Sequence, residues 1–372
     1  MATIQVRFSK GPSRDYKIEI KPGLINELPS YLKKHKFADR YVIITDSKVA
    51  KLYGESLQKR LTSAGIKSFM LTFPEGEKQK TLSTAEKLIN KMLKLQISRS
   101  DAIIALGGGV VGDLAGFIAS TYMRGIRVIQ APTTLLAMVD ASIGGKTGVN
   151  VDAGKNLLGT FYQPEAVLID TNMLKTLSSD EWENGFAEII KYSIITKSSL
   201  FHLLNGHSLA ELKSLKLVLN KIIIQCCKIK ASIISKDETE NNQRMVLNYG
   251  HTVGHALEKH FNYSISHGKA VAIGMKFINY IAVNKDQLKQ NDQIRIQKLI
   301  NRYVNTSTFE QKIHNKKVYE KLWHYMQNDK KVRESKIYFI VPKSIGQVDI
   351  QNTITKQNFL DVLPSFTNEQ HH

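Results

Sequence analysis

Residues 101–113 read DAIIALGGGVVGD, and the fold turns on how this stretch is understood. Residues 101 to 106 are a short apolar run of the kind that forms a buried strand, and the residues after the glycines open a helical pattern. A strand that turns through glycine into a helix is the start of a βα unit. Gly107, Gly109 and Gly112 also satisfy G-x-G-x-x-G, with Gly108 inside the turn. Glycine at these places lets a backbone approach a pyrophosphate beside a helix N-terminus, yet a tight strand-to-helix turn needs glycine for packing whether or not anything binds. Spacing alone leaves both readings open. No acidic residue ends a strand about twenty positions downstream, where an ordinary dinucleotide fingerprint has its ribose acid. Asp46, at the end of the run YVIIT, is the alternative source.

Working outward from this turn, YVIIT (41–45), SFMLTF (68–73), RVIQA (127–131) and AVLID (166–170) are apolar runs bounded by turn residues and separated by amphipathic stretches. They predict a nucleotide-binding α/β domain with a mostly parallel sheet over residues 1–179. The first residues, MATIQVRFSKGPSRDYKIEIKPG, alternate like strands and lack the pattern of a signal peptide. Beyond residue 179 a helical apolar stripe runs through Leu212, Leu215, Leu219, Ile222, Ile223, Cys226 and Ile233. This predicts a mainly α-helical domain over residues 180–372, with a late return to strand at KIYFIVP (336–342).

The chain has 372 residues, 42% hydrophobic and 23% charged, which is the balance of a globular protein and enough length for two cores. Its most apolar stretch, residues 102–119, is interrupted by Gly107, Gly108, Gly109 and Asp113, so no membrane span is expected. Cys226 and Cys227 are adjacent and are expected to stay reduced in a cytoplasmic protein. The net charge of +19 is spread in pairs such as Lys33-Lys34 and Lys316-Lys317, without a basic run or a nucleic-acid motif. Nucleic acid and membrane are therefore not expected as partners, and an anionic small molecule is.

Two further stretches carry chemistry. Residues 132–164, PTTLLAMVDASIGGKTGVNVDAGKNLLGTFYQP, offer Asp140, Lys146, Asn150, Lys155 and Asn156 among five glycines. Gly-Gly-Lys-Thr invites a P-loop reading, but the first glycine of that motif would fall on Asp140. A polar loop that donates to phosphate remains, beside the plainer reading of a long solvated connection. Residues 244–258, RMVLNYGHTVGHALE, place His251 and His255 four apart on one helix face, and His267 follows. Three of the eleven histidines within seventeen positions, with Glu188 of GFAEIIK as a carboxylate partner, suit a divalent metal with an open coordination position. Spacing does not say which two histidines would bind. Thr252 follows His251, so the H-E-x-x-H base of metalloproteases is missing.

Together with PEGEKQKT (74–81), GGGVVGDLAGFIASTYMRG (107–125), HGKAVAIGM (267–275) and DKK (329–331), these segments resemble the 3-dehydroquinate synthase family of the sugar phosphate cyclases, in the family's order. The resemblance implies a phosphorus–oxygen lyase of the shikimate pathway. It would convert 3-deoxy-D-arabino-heptulosonate 7-phosphate to 3-dehydroquinate and phosphate through transient oxidation by NAD, elimination, re-reduction and aldol closure. By the same resemblance Glu188, His251 and His267 hold zinc or cobalt, and His255 is an acid/base residue beside the leaving phosphate. NAD lies along Asp46, Glu77, Lys80, Gly107 to Gly109, Asp113, Thr133 and Thr134, with Lys155 and Thr176. Lys48 stands where the family pattern leads one to expect asparagine. Lys146, Asn156 and Asn248 hold phosphate with Lys330 or Lys331; Lys230 and Arg244 clamp a carboxylate; Asp140 meets the ring hydroxyls. Arg124 is similar to an arginine lent across a homodimer. The rivals are a cyclase of the inosose or valiolone type, whose substrates lack the carboxylate, and a metal-dependent polyol dehydrogenase.

Overall fold

The computed structural model describes residues 1–8, 15–240, 243–313, 315–327 and 336–362. Lys330 and Lys331 lie outside the described residues. Two compact units emerge, one of Met1–Leu177 with Cys226–Thr239, the other of Ser178–Gln225 with Glu240–His372. The return of Cys226–Thr239 to the first unit is not contained in a single boundary near residue 179. Among the described residues no helix is long and apolar enough to cross a membrane.

In the first unit the apolar runs become strands β1 (Ala2–Val6), β2 (Tyr16–Ile20), β3 (Tyr41–Asp46), β4 (Ser68–Phe73), β5 (Ala102–Gly107) and β6 (Arg127–Pro132). β7 (Lys146–Val151), β8 (Gly154–Phe161) and β9 (Ala166–Ile169) follow. Seven of them form one sheet in the order β1-β2-β9-β6-β5-β3-β4, and only the β1–β2 pair is antiparallel. Every residue of β5 is buried, because parallel strands covered on both faces keep no polar side. The helices Leu82–Lys94 and Gly109–Thr121 bury Leu88, Met92, Leu114 and Ile118 against Val42, Ile44, Ile103 and Val128 of the sheet. From β3 the chain steps outward to β4 and then back past β3 to β5. The order reverses there, so the carboxyl ends of β3 and β5, at Asp46 and Gly107, flank a topological switch point where open α/β sheets bind ligands.

The stretch expected as a loop over 132–164 is instead a short helical turn, Ala137–Ala141, followed by the antiparallel hairpin of β7 and β8. Glycine content misled the reading. A ladder satisfies the backbone whatever the composition, Gly148 and Gly159 pair directly, and Val149 anchors the hairpin in the core. The helical stripe is also interrupted: helices Leu209–Ser214 and Lys216–Ile234 meet at Leu215, which is 42% exposed. The late strand is β10 (Phe339–Ser344), slightly beyond KIYFIVP, and pairs with β11 (Gln347–Gln351) in a two-stranded sheet.

The second unit is built on the helices Ser179–Ile195, His251–His260 and His267–Asn284, among others. The last two approach closely enough that a Cβ on Gly274 would lie 2.0 Å from the carbonyl oxygen of Gly250. A Cβ on Gly268 would likewise meet Asn184 Cα at 2.6 Å, and the Gly268 N–H donates to the Asn184 side-chain oxygen. Glycine at both positions is thus what lets the three helix backbones meet.

Candidate active site

That close approach carries Glu188, His251 and His267 to one point. His251 Nε2 lies 3.3 Å and His267 Nε2 3.6 Å from Glu188 Oε1, and one ligand atom from each residue falls within 4.8 Å of the others. Glu188 is 0% exposed, and neither of its oxygens has a hydrogen-bond donor in good geometry, although the Lys191 ammonium ion-pairs with Oε2. A buried carboxylate in that state is costly unless a cation completes it. Two imidazole nitrogens and one carboxylate oxygen, with a position left open, are the donor set of a catalytic zinc or cobalt ion, so these residues fit the metal.

The protonation states of His251 and Glu188 agree with that use. Burial lowers His251 to about 3, partly offset by Glu188, so its imidazole is neutral near pH 7. Burial would push the Glu188 carboxyl up, but Lys191 and His251 hold it well below the usual carboxylate range. Burial would lower His267 too, but the Glu188 and Glu258 carboxylates facing its ring outweigh that and raise it to about 10, so near pH 7 the metal-free ring carries a proton on Nε2 that a bound ion would displace. The His251 Nδ1 faces the Tyr249 carbonyl oxygen at 3.1 Å, which leaves Nε2 for a metal. His255 sits in a second cluster with Glu258 and His267, not among the atoms around Glu188. The i, i+4 histidine pair is therefore not the pair that the Glu188 carboxylate gathers.

In the first unit the glycine turn has two kinds of glycine. A Cβ on Gly107 would strike Val111 Cγ2 at 2.4 Å, and one on Gly108 would press on Thr134 Cγ2 at 3.0 Å, so packing already requires them. A Cβ on Gly109 meets only Ala141 Cβ at 3.4 Å, an ordinary contact. Packing does not demand glycine there, whereas a ligand backbone-to-phosphate approach would. Thr133 N donates to Gly107 O at 2.9 Å, and the Thr134 hydroxyl accepts from Ala137 N at 3.2 Å. Nearby, the buried Lys80 ammonium contacts Asp113 at 2.9 Å, Glu77 at 3.6 Å and the side-chain oxygen of Asn156. Asn150 closes the ring, donating to Glu77 at 2.8 Å and accepting from Asn156 N at 3.0 Å. Glu77, Lys80, Asp113 and Asn156 are thus brought together. Lys146 opens β7, and Lys155 stands beside Asn156 in β8.

Asp46 caps the helical segment beginning at Ser47, accepting from Lys48 N and Val49 N at 2.9 Å each through one carboxylate oxygen. Thr176 is tied to the Tyr53 hydroxyl at 2.6 Å. Lys230 donates to both the backbone and side-chain oxygens of Asp140, each at 2.7 Å. Lys230 belongs to the first unit; Arg244, buried at 1% exposure, and Asn248, donating to Glu240 at 2.6 Å, belong to the second. Arg124 lies in an exposed turn whose residues Met123, Arg124 and Gly125 have φ of 51°, 65° and 117°. Sequence reasoning assigned no role to Lys191, Glu240 or Glu258, and took Asn150 only as a member of a polar loop rather than as a partner of Glu77. For Lys191 the signal was present: it stands three residues after Glu188, on the same helix face. Cys226 and Cys227 are free and buried, and burial pushes the Cys227 thiol up to about 12, far from a nucleophile's range.

A dinucleotide-type sheet and a helical histidine–carboxylate site together define the class. The chain superimposes on a 2-deoxy-scyllo-inosose synthase solved with carbaglucose-6-phosphate, NAD+ and Co2+ at TM-score 0.83 and 26% identity, covering 98% of this chain and 99% of that one. It superimposes on the 2-epi-5-epi-valiolone synthase of Streptomyces hygroscopicus with NAD+ and Zn2+ at TM-score 0.86, again 26% identical and with the same coverage. The architecture is that of the sugar phosphate cyclases. Within that class, the family model described as 3-dehydroquinate synthase N-terminal matches residues 70–184, and that described as 3-dehydroquinate synthase C-terminal matches residues 185–332. A 3-dehydroquinate synthase of Rippkaea orientalis is 42% identical over 357 residues, 95% of this chain and 96% of its own. The chain belongs to the 3-dehydroquinate synthase family.

Proposed function

We propose that the protein works as a NAD- and divalent-metal-dependent 3-dehydroquinate synthase in the cytoplasm, releasing phosphate from 3-deoxy-D-arabino-heptulosonate 7-phosphate and closing the carbocycle. The observation that carries this is the convergence of His251 and His267 on the buried Glu188 carboxylate, in a chain with a glycine turn at the switch point of its sheet. When bound, NAD would take a hydride from a secondary alcohol and return it, while zinc or cobalt on Glu188, His251 and His267 would polarise that oxygen as a Lewis acid.

The chain's own residues would do the rest. In the first unit, Gly107 to Gly109, Asp113, Thr133, Thr134, Asp46, Glu77, Lys80, Lys155 and Thr176 would bind and orient the dinucleotide. Lys146 and Asn156 would take phosphate oxygens, Lys230 the carboxylate, and Asp140 the ring hydroxyls. In the second unit, His255 would carry the proton that follows the leaving phosphate. Asn248 and one of Lys330 and Lys331 would hold that phosphate, and Arg244, a planar donor already buried, suits a carboxylate. Arg124 would be lent to a partner in a homodimer, a use to which its exposed left-handed turn is suited.

The test is a comparison of substrates. Phosphate and 3-dehydroquinate should appear from 3-deoxy-D-arabino-heptulosonate 7-phosphate, and no phosphate from glucose 6-phosphate, which lacks the carboxylate. Turnover of the carboxylate-free sugar alone would transfer the reading to an inosose-type cyclase.

A further inference from the structure

We infer that Glu258 is a positioning residue, which orients the His267 imidazole so that Nε2 is presented to Glu188 and the metal. The inference rests on the metal-site reading above. His267 Nδ1 lies 3.3 Å from Glu258 Oε2, while Nε2 on the opposite side of the ring faces Glu188 Oε1 at 3.6 Å. A carboxylate only accepts, so the contact keeps a proton on Nδ1, and Nε2 is the nitrogen whose proton a bound ion would displace. Glu258 is itself held: it is 5% exposed, and its backbone carbonyl accepts from Tyr263 N at 2.7 Å where the helix His251–His260 ends.

The two ring partners differ in kind. His251 Nδ1 faces a neutral carbonyl, that of Tyr249. His267 Nδ1 faces a full negative charge, which makes its ring the more strongly donating ligand and adds a charge next to the ion. Glu258 is seven residues beyond His251 and three beyond His255 on one helix, which places it on the histidine face.

Cobalt titration of the metal-free protein, followed by visible absorption, tests this. Glu258→Ala should weaken cobalt binding by about 10- to 100-fold and shift the cobalt bands. Glu258→Gln, whose amide oxygen still accepts from Nδ1, should recover most of the affinity but keep a shifted spectrum. Wild-type affinity and an unchanged spectrum in Glu258→Ala would overturn the inference; if that variant does not fold, an unchanged spectrum in Glu258→Gln decides against it. His267→Ala separates the two claims, since wild-type cobalt binding in that variant would refute the metal site itself.

Discussion

Lys80 in the first unit and Glu188 in the second are both buried charges, and their surroundings differ. The Lys80 ammonium, on a residue 3% exposed, is met by Asp113, Glu77 and Asn156, all supplied by the chain. Glu188 ion-pairs with Lys191 through one oxygen, and its other oxygen faces Nε2 of His251, a neutral ring, and Nε2 of His267. The first arrangement is closed by the protein itself, as a scaffold that shapes a binding surface should be. The second has the donor set that an added cation would complete, leaving an open position.

Emptying the second site should have the largest effect. Glu188→Ala or His251→Ala should weaken zinc binding by about a hundredfold or more and abolish phosphate release, with NAD binding in calorimetry unchanged. Retained metal affinity in either variant would break the contrast. Next, His255→Ala should lower kcat by roughly 10²- to 10⁴-fold while zinc stoichiometry stays at the wild-type value, because His255 stands outside the Glu188 cluster.

The first unit should respond through stability rather than metal. Lys80→Met leaves Asp113 and Glu77 without their shared cation and should cost about 3 kcal/mol in denaturant unfolding, together with weaker NAD binding. The smallest effect is expected at Asp101, which accepts from Arg40 at 3.0 and 2.7 Å and from Ser98 N at 2.7 Å. Burial would raise its carboxyl, but Arg40 and Ser98 hold it below the usual range. The stabilisation is therefore present above about pH 4, the ordinary carboxylate value, and is lost as pH falls through the lowered one. Asp101→Asn should cost about 1–3 kcal/mol at pH 7, and its difference from wild type should shrink below about pH 4.

The parallel strands were legible because burial on both faces writes a continuous apolar run, as in β3 and β5. The β7–β8 hairpin was not, since its stability comes from a ladder and from Val149 in the core rather than from residue type. The site shows the same division. Helical spacing sees only neighbours on one helix, and so put His251 and His255 on one face without saying which two histidines would bind. The grouping of His267 with Glu188 depends on close helix contacts at Gly268 and Gly274, which are long-range facts. Resemblance to a family supplied that grouping where spacing left it open.

The most direct measurement follows phosphate release and absorbance at the NADH wavelength together, in one sample given 3-deoxy-D-arabino-heptulosonate 7-phosphate and NAD, before and after chelation. The account predicts stoichiometric phosphate with no accumulating NADH, loss of turnover on chelation, and recovery on adding zinc or cobalt. Net NADH rising in step with product, or turnover that survives removal of the metal, would contradict it.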